Sequence, residues 1–189
     1  MNIAIDIDDT LADTFDYYIP FIAEFFGADE NELRAKNISY NTLPPEWQAQ
    51  EHELGMAYDD QYIPDTPFKP GAAEGINALR AMGHKIFIIT ARCEQTYHDP
   101  VGTTEKELKN GKIVYDKLIC TLNKAAACTA EKIDVLIDDY PANCLAVAAV
   151  GVRPIVFASK AYPNPPNEFP LVHSWTEAVE QVKRLTEAE

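Results

Sequence analysis

The residues of this 189-residue chain best suited to chemistry are two acidic pairs and a cation, each lying beyond a short apolar run. Ile3-Ala4-Ile5 leads into Asp6-Ile7-Asp8-Asp9-Thr10, and Val135-Leu136-Ile137 leads into Asp138-Asp139. Residues two apart on an extended chain face the same way, so Asp6 and Asp8 are expected to converge while Asp9 turns elsewhere. Carboxylates a few ångströms apart repel, and each tends to stay protonated unless a cation neutralises them. Two such pairs at two strand ends make a hard oxygen-ligand site of the kind Mg²⁺ prefers, with Asp6, Asp8, Asp138 and Asp139 as its candidate ligands. The competing reading is a helix cap, since Asp138 or Asp139 stands just ahead of a helical pattern that opens at Pro141. Either pair alone fits a cap about as well; both together fit it far less. Ile86 to Ile89 ends in Thr90, placing a hydroxyl and backbone N–H groups at a third strand end, with Arg92 just beyond. Lys124 follows Leu118-Ile119-Cys120 and would open the next helix, where its ammonium can reach the same edge. Alone, Thr90 reads as a cap or turn residue and Lys124 as a solvated surface residue. Together with the acids they read as parts of one site.

The elements that must position these residues follow from periodicity. Residues 2–7, 85–90, 134–137 and 153–157 are apolar, β-branched and too short for helices, so they are expected to be buried strands. Helical patterns lie between them: residues 72–82, stopped by Gly83; residues 141–150, closed by Gly151; and a last helix opened by the capping-box phrase Ser174-Trp175-Thr176-Glu177. The alternation predicts an α/β fold, a Rossmann-like doubly wound parallel sheet whose ligands gather at the carboxyl ends of the strands. Residues 14–70 break the alternation and read as a small helical cap inserted after the first strand. A first helix there carries Phe15, Tyr18, Ile19, Ile22, Phe25 and Phe26 and stops at Gly27, with Pro20 expected to kink or start it. Asp29 with Glu32 forms a further capping box, and a helix with Trp47 and Leu54 follows Leu43-Pro44-Pro45. The core domain is then 1–13 with 71–189.

Sixteen Lys and Arg against 30 Asp and Glu give a net charge of −14, which opposes binding of a nucleic acid polymer along its phosphates. No stretch approaches the roughly 20 apolar residues of a membrane span, and the start lacks the character of a signal peptide. Cys93, Cys120, Cys128 and Cys144 show no CxxC spacing and read as reduced thiols of a cytoplasmic protein. His84 and His98 are expected at the surface.

The ordered set Asp6-x-Asp8-x-Thr10-Leu11, Thr90, Lys124 and Asp138-Asp139 resembles the four motifs of the haloacid dehalogenase-like hydrolase superfamily, and residues 14–70 stand where that superfamily carries a type 1 cap. Asp13, the cap length, the phrase Thr121 to Lys124 and the Asp-Asp ending resemble, within it, the 5′(3′)-deoxyribonucleotidase family. The resemblance implies a Mg²⁺-dependent phosphomonoesterase acting on a small phosphorylated metabolite, plausible as a deoxyribonucleoside monophosphate. It implies Asp6 as the nucleophile that forms an aspartyl-phosphate and Asp8 as general acid and then base. It further implies metal binding by Asp6, Asp8 through its backbone carbonyl, and Asp138 or Asp139. Thr90 and Lys124 would bind the phosphoryl oxygens, with Arg92 beside them. The cap aromatics Phe15, Tyr17, Tyr18, Trp47, Tyr58 and Tyr62 read either as the cap's own core or as stacking partners for a base. Alternatives are a sugar-phosphate phosphatase or phosphotransferase on the same scaffold, a phospho-acceptor signalling domain of the receiver type, and a catalytically silent binding protein. Motif order argues against the receiver, which places its Lys last, whereas here the acidic pair comes last.

Overall fold

The computed structural model describes residues 1–36 and 42–187. Six parallel strands form one sheet in the order β3-β2-β1-β4-β5-β6, where β1 is Asn2–Ile5, β2 Lys85–Thr90, β3 Lys117–Cys120, β4 Val135–Asp138, β5 Arg153–Phe157 and β6 Leu171–Val172. The chain fills the sheet outward from β1 on one side, then returns to fill the other from β4, so the order reverses between β1 and β4. That reversal leaves a crevice at the carboxyl ends of the central strands. Register sharpens the point: Ile5 lies opposite Ile88 and Ile137, so Asp6, Thr90 and Asp138 all finish on one edge.

Apolar side chains cover both faces of the sheet, as continuous rather than alternating hydrophobicity requires. Ile3 and Ile5 point into a cluster with α5 (Ala72–Ala81) and α9 (Trp175–Glu187), while Ala4, Phe87 and Leu136 point into one with α7 (Lys124–Ala130) and α8 (Pro141–Ala148). At the opening of α9, Glu177 N–H donates to Ser174 Oγ as the capping box predicts, while the Glu177 carboxylate accepts from His173 N–H, one residue ahead of the cap, instead of from Ser174.

Two strands escape the sequence pattern. β3 sits at the sheet edge with no fully buried residue, and β6 has only two residues, so neither carries enough buried apolar length to stand out. β1 also stops sooner than its apolar run, because Thr10, Leu11 and Ala12 all donate to Ile7 O and Asp9 takes φ of 55°. The polar stretch after Arg92 contains α6 (Pro100–Asn110), capped by the Asp99 carboxylate on Gly102 N–H. His84 departs from expectation: it is buried, with Nδ1 3.2 Å from the Met1 amino group and Nε2 3.5 Å from Thr186 Oγ1. The end of α9 covers it, which no local pattern reveals. His98 is exposed.

Between β1 and β2 lie α1 (Thr14–Phe26), α2 (Glu30–Ala35), α3 (Pro45–Gln48), α4 (Glu51–Tyr62) and a 3₁₀ turn at Ile63–Asp65. Phe15, Tyr18, Ile19, Ile22, Leu33, Leu54 and Ile63 form their own cluster, joined by Tyr97 from beyond β2. Residues 37–41 of the expected insert lie outside the described residues. Pro20 neither starts nor ends α1 but sits inside it. It cannot donate to Asp16 O, and the Arg34 guanidinium reaches that carbonyl at 3.4 Å instead. Asp29 accepts from Glu32 N–H as its spacing predicts.

Two chain crossings join insert and sheet, paired antiparallel: Lys69 N–H donates to Leu11 O and Asp13 N–H to Pro67 O. Farther along, Asp60 on α4 accepts from the N–H groups of His98 and Asp99 and from Thr103 Oγ1. Gly55 permits this close approach, since a Cβ there would stand 2.6 Å from Thr96 Cβ. No helix among the described residues is long and apolar enough to cross a membrane.

Trp175 ties α9 to the edge where the acids gather. It is 1% exposed, lies against Gly75 and Phe157, and donates from Nε1 to Thr10 O at 3.3 Å. Trp175→Ala is therefore expected to destabilise the fold by about 3–5 kcal/mol, read as a lower urea midpoint at unchanged slope.

Candidate active site

The geometry begins with Lys124. Asn123 caps α7 by accepting from Ala126 N–H, and Lys124, the first helical residue, is buried with its ammonium turned toward the strand ends. Its Nζ lies 2.6 Å from Asp6 Oδ1 and 2.7 Å from Asp138 Oδ2. Asp6, Asp138 and Asp139 each offer a carboxylate oxygen, and the three lie within 4.8 Å of one another. With all three ionised, three carboxylates against one ammonium would leave two negative charges in a nearly dry pocket. The strain shows in the titration of the acids. Burial pushes Asp6 up to about 7 against the pull of Lys124, with the charges of Asp138 and Asp8 adding to the rise. Asp139 is raised well above the usual carboxylate range, by burial first and then by Asp6, Asp138 and Asp9. Lys124 is raised by the same acids despite its burial, and so remains an ammonium. A buried set of hard oxygen donors carrying two surplus negative charges has the chemistry of a divalent-cation site.

The two acids at the end of β4 are engaged differently. Asp138 accepts from Tyr140 N–H, from Asn143 Nδ2 and from Lys124, so it both serves the start of α8 and faces the site. Neither acid caps α8, whose cap position is Tyr140 with no side-chain cap bond; Asp138 holds the backbone just ahead of it. Asp139 is tied to Thr10, whose hydroxyl accepts from Asp139 N–H at 3.0 Å and approaches its Oδ1 at 3.5 Å. The β1 turn and the β4 end are locked together by that residue. Asp9 turns away from the cluster and accepts from Phe15 N–H at the start of α1.

Asp8 belongs to a second group. Its carboxylate accepts from Thr14 Oγ1 at 2.9 Å and from Arg92 at two points, Nη2 to Oδ1 at 2.8 Å and Nε to Oδ2 at 3.2 Å. Burial alone would raise it, but the Arg92 charge and these hydrogen bonds hold it below the usual carboxylate range. Arg92 differs from expectation. Rather than standing free beside the site, its side chain is 2% exposed and its remaining Nη1 serves Glu107 and Thr104 on α6. The fork is spent on Asp8 and Glu107, so Arg92 orients an acid instead of meeting an anion. Nothing near Arg92 in sequence announces this, because Glu107 arrives from the next helix. The only local signal is Thr104 and Glu107 three apart on a polar helix, one turn on the same face.

Thr90 ends β2 fully buried, and its hydroxyl has no hydrogen-bond partner among the described residues. A buried orphan hydroxyl is unusual enough to mark a place for a ligand. Of the insert's aromatics, Tyr18 alone lines the cleft beside Asp8 and Arg92, a space of about 310 Å³; Trp47 instead stacks on Phe26 at 4.4 Å. Tyr97 and Tyr162 line the same cleft and were not expected there.

Two measurements follow. Asp6 and Asp9 are raised to about 7 and about 6, so their contribution to stability is full near pH 4 and is lost as pH rises through those values. A divalent cation that neutralises the cluster restores the part of that loss that Asp6 carries. Millimolar Mg²⁺ is therefore expected to raise Tm more at pH 8 than at pH 5, measured by calorimetry with and without chelator. In the second group, Arg92→Ala strands Glu107 as a buried charge and is expected to cost about 3–5 kcal/mol in denaturant unfolding. The double variant Arg92→Met with Glu107→Leu should recover most of it.

The family model described as "5′ nucleotidase, deoxy (Pyrimidine), cytosolic type C protein" matches residues 1–186. No curated protein matches by sequence. Among solved structures, a haloacid dehalogenase-like family hydrolase from Streptococcus pneumoniae superposes with a TM-score of 0.67 at 15% identity, covering 96% of this chain and 97% of that one. A HAD-superfamily hydrolase from Ehrlichia chaffeensis gives 0.62 at 14%, covering 98% and 97%. D,D-heptose 1,7-bisphosphate phosphatase from B. bronchiseptica, complexed with magnesium and phosphate, gives 0.59 at 10%, covering 97% and 99%. At these identities the likeness is one of fold.

Proposed function

The chain belongs to the family of cytosolic type C deoxy (pyrimidine) 5′ nucleotidases, and from that premise we propose that it hydrolyses a deoxyribonucleoside monophosphate through an aspartyl-phosphate on Asp6. The observation that carries the reading is Lys124 buried between Asp6 and Asp138, with Asp139 completing the cluster and the orphan hydroxyl of Thr90 ending the neighbouring strand.

Lys124 pulls Asp6 toward its ionised form against the burial that raises it, and an ionised carboxylate is what attacks phosphorus. The Asp6 oxygen forms a bond to phosphorus as the bond to the leaving oxygen breaks. Thr90 and Lys124 donate to the phosphoryl oxygens as charge moves onto them. Asp8 gives a proton to the leaving oxygen, then takes one from the water that attacks the aspartyl-phosphate, which frees Asp6 and inorganic phosphate. Arg92 and Thr14 hold the Asp8 carboxylate still for both steps. Because Arg92 also lowers its pKa, Asp8 rests ionised, and the proton for the first step arrives with the substrate, whose phosphate is singly protonated near its second pKa of about 6.

The donor set fits Mg²⁺, held by Asp6, Asp139 and Asp138, with Asp139 the more direct ligand of the pair because both Asp138 oxygens already accept protein hydrogen bonds. When bound there, the ion would supply two positive charges against the surplus and would polarise the phosphoryl oxygens. Residues 14–70 act as the cap over a core of 1–13 and 71–189, a reading supported by the insert's separate apolar cluster. A small phosphorylated metabolite suits the −14 charge, and the free thiols suit a reducing cytoplasm.

With p-nitrophenyl phosphate and Mg²⁺, Asp6→Asn is expected to abolish turnover, and Asp8→Asn to slow it by about 10²–10⁴-fold. Ranking deoxynucleotides, ribonucleotides and sugar phosphates by kcat/KM is expected to put a deoxynucleoside monophosphate first; a sugar phosphate in that place would replace the substrate assignment.

A further inference from the structure

The cleft above Asp8 has a second wall, supplied by α1 and α4, and its chemistry is one-sided. Asp59 on α4 is only 8% exposed yet lines that cleft. The hydroxyl of Tyr18 donates to its Oδ1, whereas Oδ2 has no hydrogen-bond partner among the described residues. Asp59 also lies near enough to feel both Asp8 and Arg92, which places it across the cleft from the reacting groups. Glu51, an exposed carboxylate at the start of α4, stands on the same wall. The sole basic side chain lining the cleft among the described residues is Arg92, and its charge is paired with Asp8 and Glu107, with four of its five N–H donors given to Asp8, Thr104 and Glu107. The remaining lining there is apolar, aromatic or neutral, including Leu54, Ile63, Tyr97 and Tyr162.

A phosphomonoester seated with its phosphate at Asp6 extends its leaving alcohol toward this wall. There it meets a buried carboxylate with a free acceptor oxygen and no cation to receive a further anion. A hydroxyl, amine or imide N–H can satisfy that oxygen; a second phosphate would be held against the buried Asp59 carboxylate, with Glu51 adding repulsion at the exposed rim.

We infer that Asp59 is a specificity-determining residue that accepts a hydrogen bond from the leaving alcohol, and that the cleft selects monophosphates by rejecting leaving groups that carry a second phosphate. The inference rests on the phosphatase reading above and narrows its substrate class. It does not require the alcohol to be a nucleoside.

The test compares substrates within one protein. Asp59→Asn keeps the shape and an acceptor for Tyr18 but presents an amide to the cleft. Its kcat/KM is read with p-nitrophenyl phosphate, whose leaving group has no donor once the ester forms, and with the best donor-bearing monophosphate in the panel. The loss on the donor-bearing substrate is expected to exceed the loss on p-nitrophenyl phosphate by about 10–100-fold, the scale of a hydrogen bond to a charged group. Equal losses on both, or none on either, overturn the role of Asp59. The wild-type enzyme supplies a second reading that needs no variant. A deoxynucleoside 3′,5′-bisphosphate is expected to have at least 10-fold lower kcat/KM at its 5′ position than the 5′-monophosphate, and parity overturns the exclusion. Failure of the nucleotide assignment shows separately, as a sugar phosphate heading the wild-type ranking, and the Asp59→Asn comparison is then made on that substrate.

Discussion

Three carboxylates are buried together against one ammonium, and much of this structure can be read as a response to that cost. Asp6, Asp138 and Asp139 sit at adjoining strand ends, where removal from water raises the pKa values of Asp6 and Asp139 and the neighbouring carboxylates raise them further. Lys124 offsets one charge and bridges Asp6 to Asp138. The arrangement would be a poor way to stabilise a fold for its own sake, because a buried ion pair seldom recovers its desolvation. Its sense lies in the charge that remains, which suits a divalent cation.

The elements around the cluster hold it in shape. The Thr10 hydroxyl locks the β1 turn to Asp139, and Trp175 reaches from the last helix to bond the carbonyl of the same Thr10. Asn143 and the Tyr140 N–H saturate Asp138, so that acid has little freedom left. On the other flank a buried row runs from Asp8 through Arg92 to Glu107. The two acids of the first motif, two residues apart, thus enter different electrostatic surroundings: Asp6 is pushed up by burial and Asp8 is held down by Arg92.

The helical insert closes over this edge without being a free lid. It is joined by the paired crossings at Leu11–Asp13 and Pro67–Lys69, and again where Asp60 gathers the N–H groups of His98 and Asp99. Gly55 lets α4 come close enough for that contact. The cleft walls are therefore set by both parts of the chain, with Asp8 and Arg92 on the sheet side and Tyr18, Leu54 and Asp59 from the insert.

The order of acids, hydroxyl and lysine along the chain, each after an apolar run, was enough to determine the parallel α/β core and the gathering of Asp6, Thr90, Lys124 and Asp138-Asp139 at one edge, because parallel strands in register bring their carboxyl ends together whatever lies between them. Local chemistry was legible for the same reason in the Asp29–Glu32 box and in Asp9 turning away to serve α1. Pairings between distant elements were not. Arg92 looked free until Glu107 arrived from α6, His84 looked exposed until α9 covered it, and Asp59 had no signature at all on a weakly patterned helix. β3 and β6 were hidden because edge strands bury too little apolar surface to impose a pattern. Which residues stand near the chemistry followed from spacing and strand register; which charges are already spent, and which oxygen is left for a substrate, was decided only when helices far apart in sequence packed against one another and shut out water.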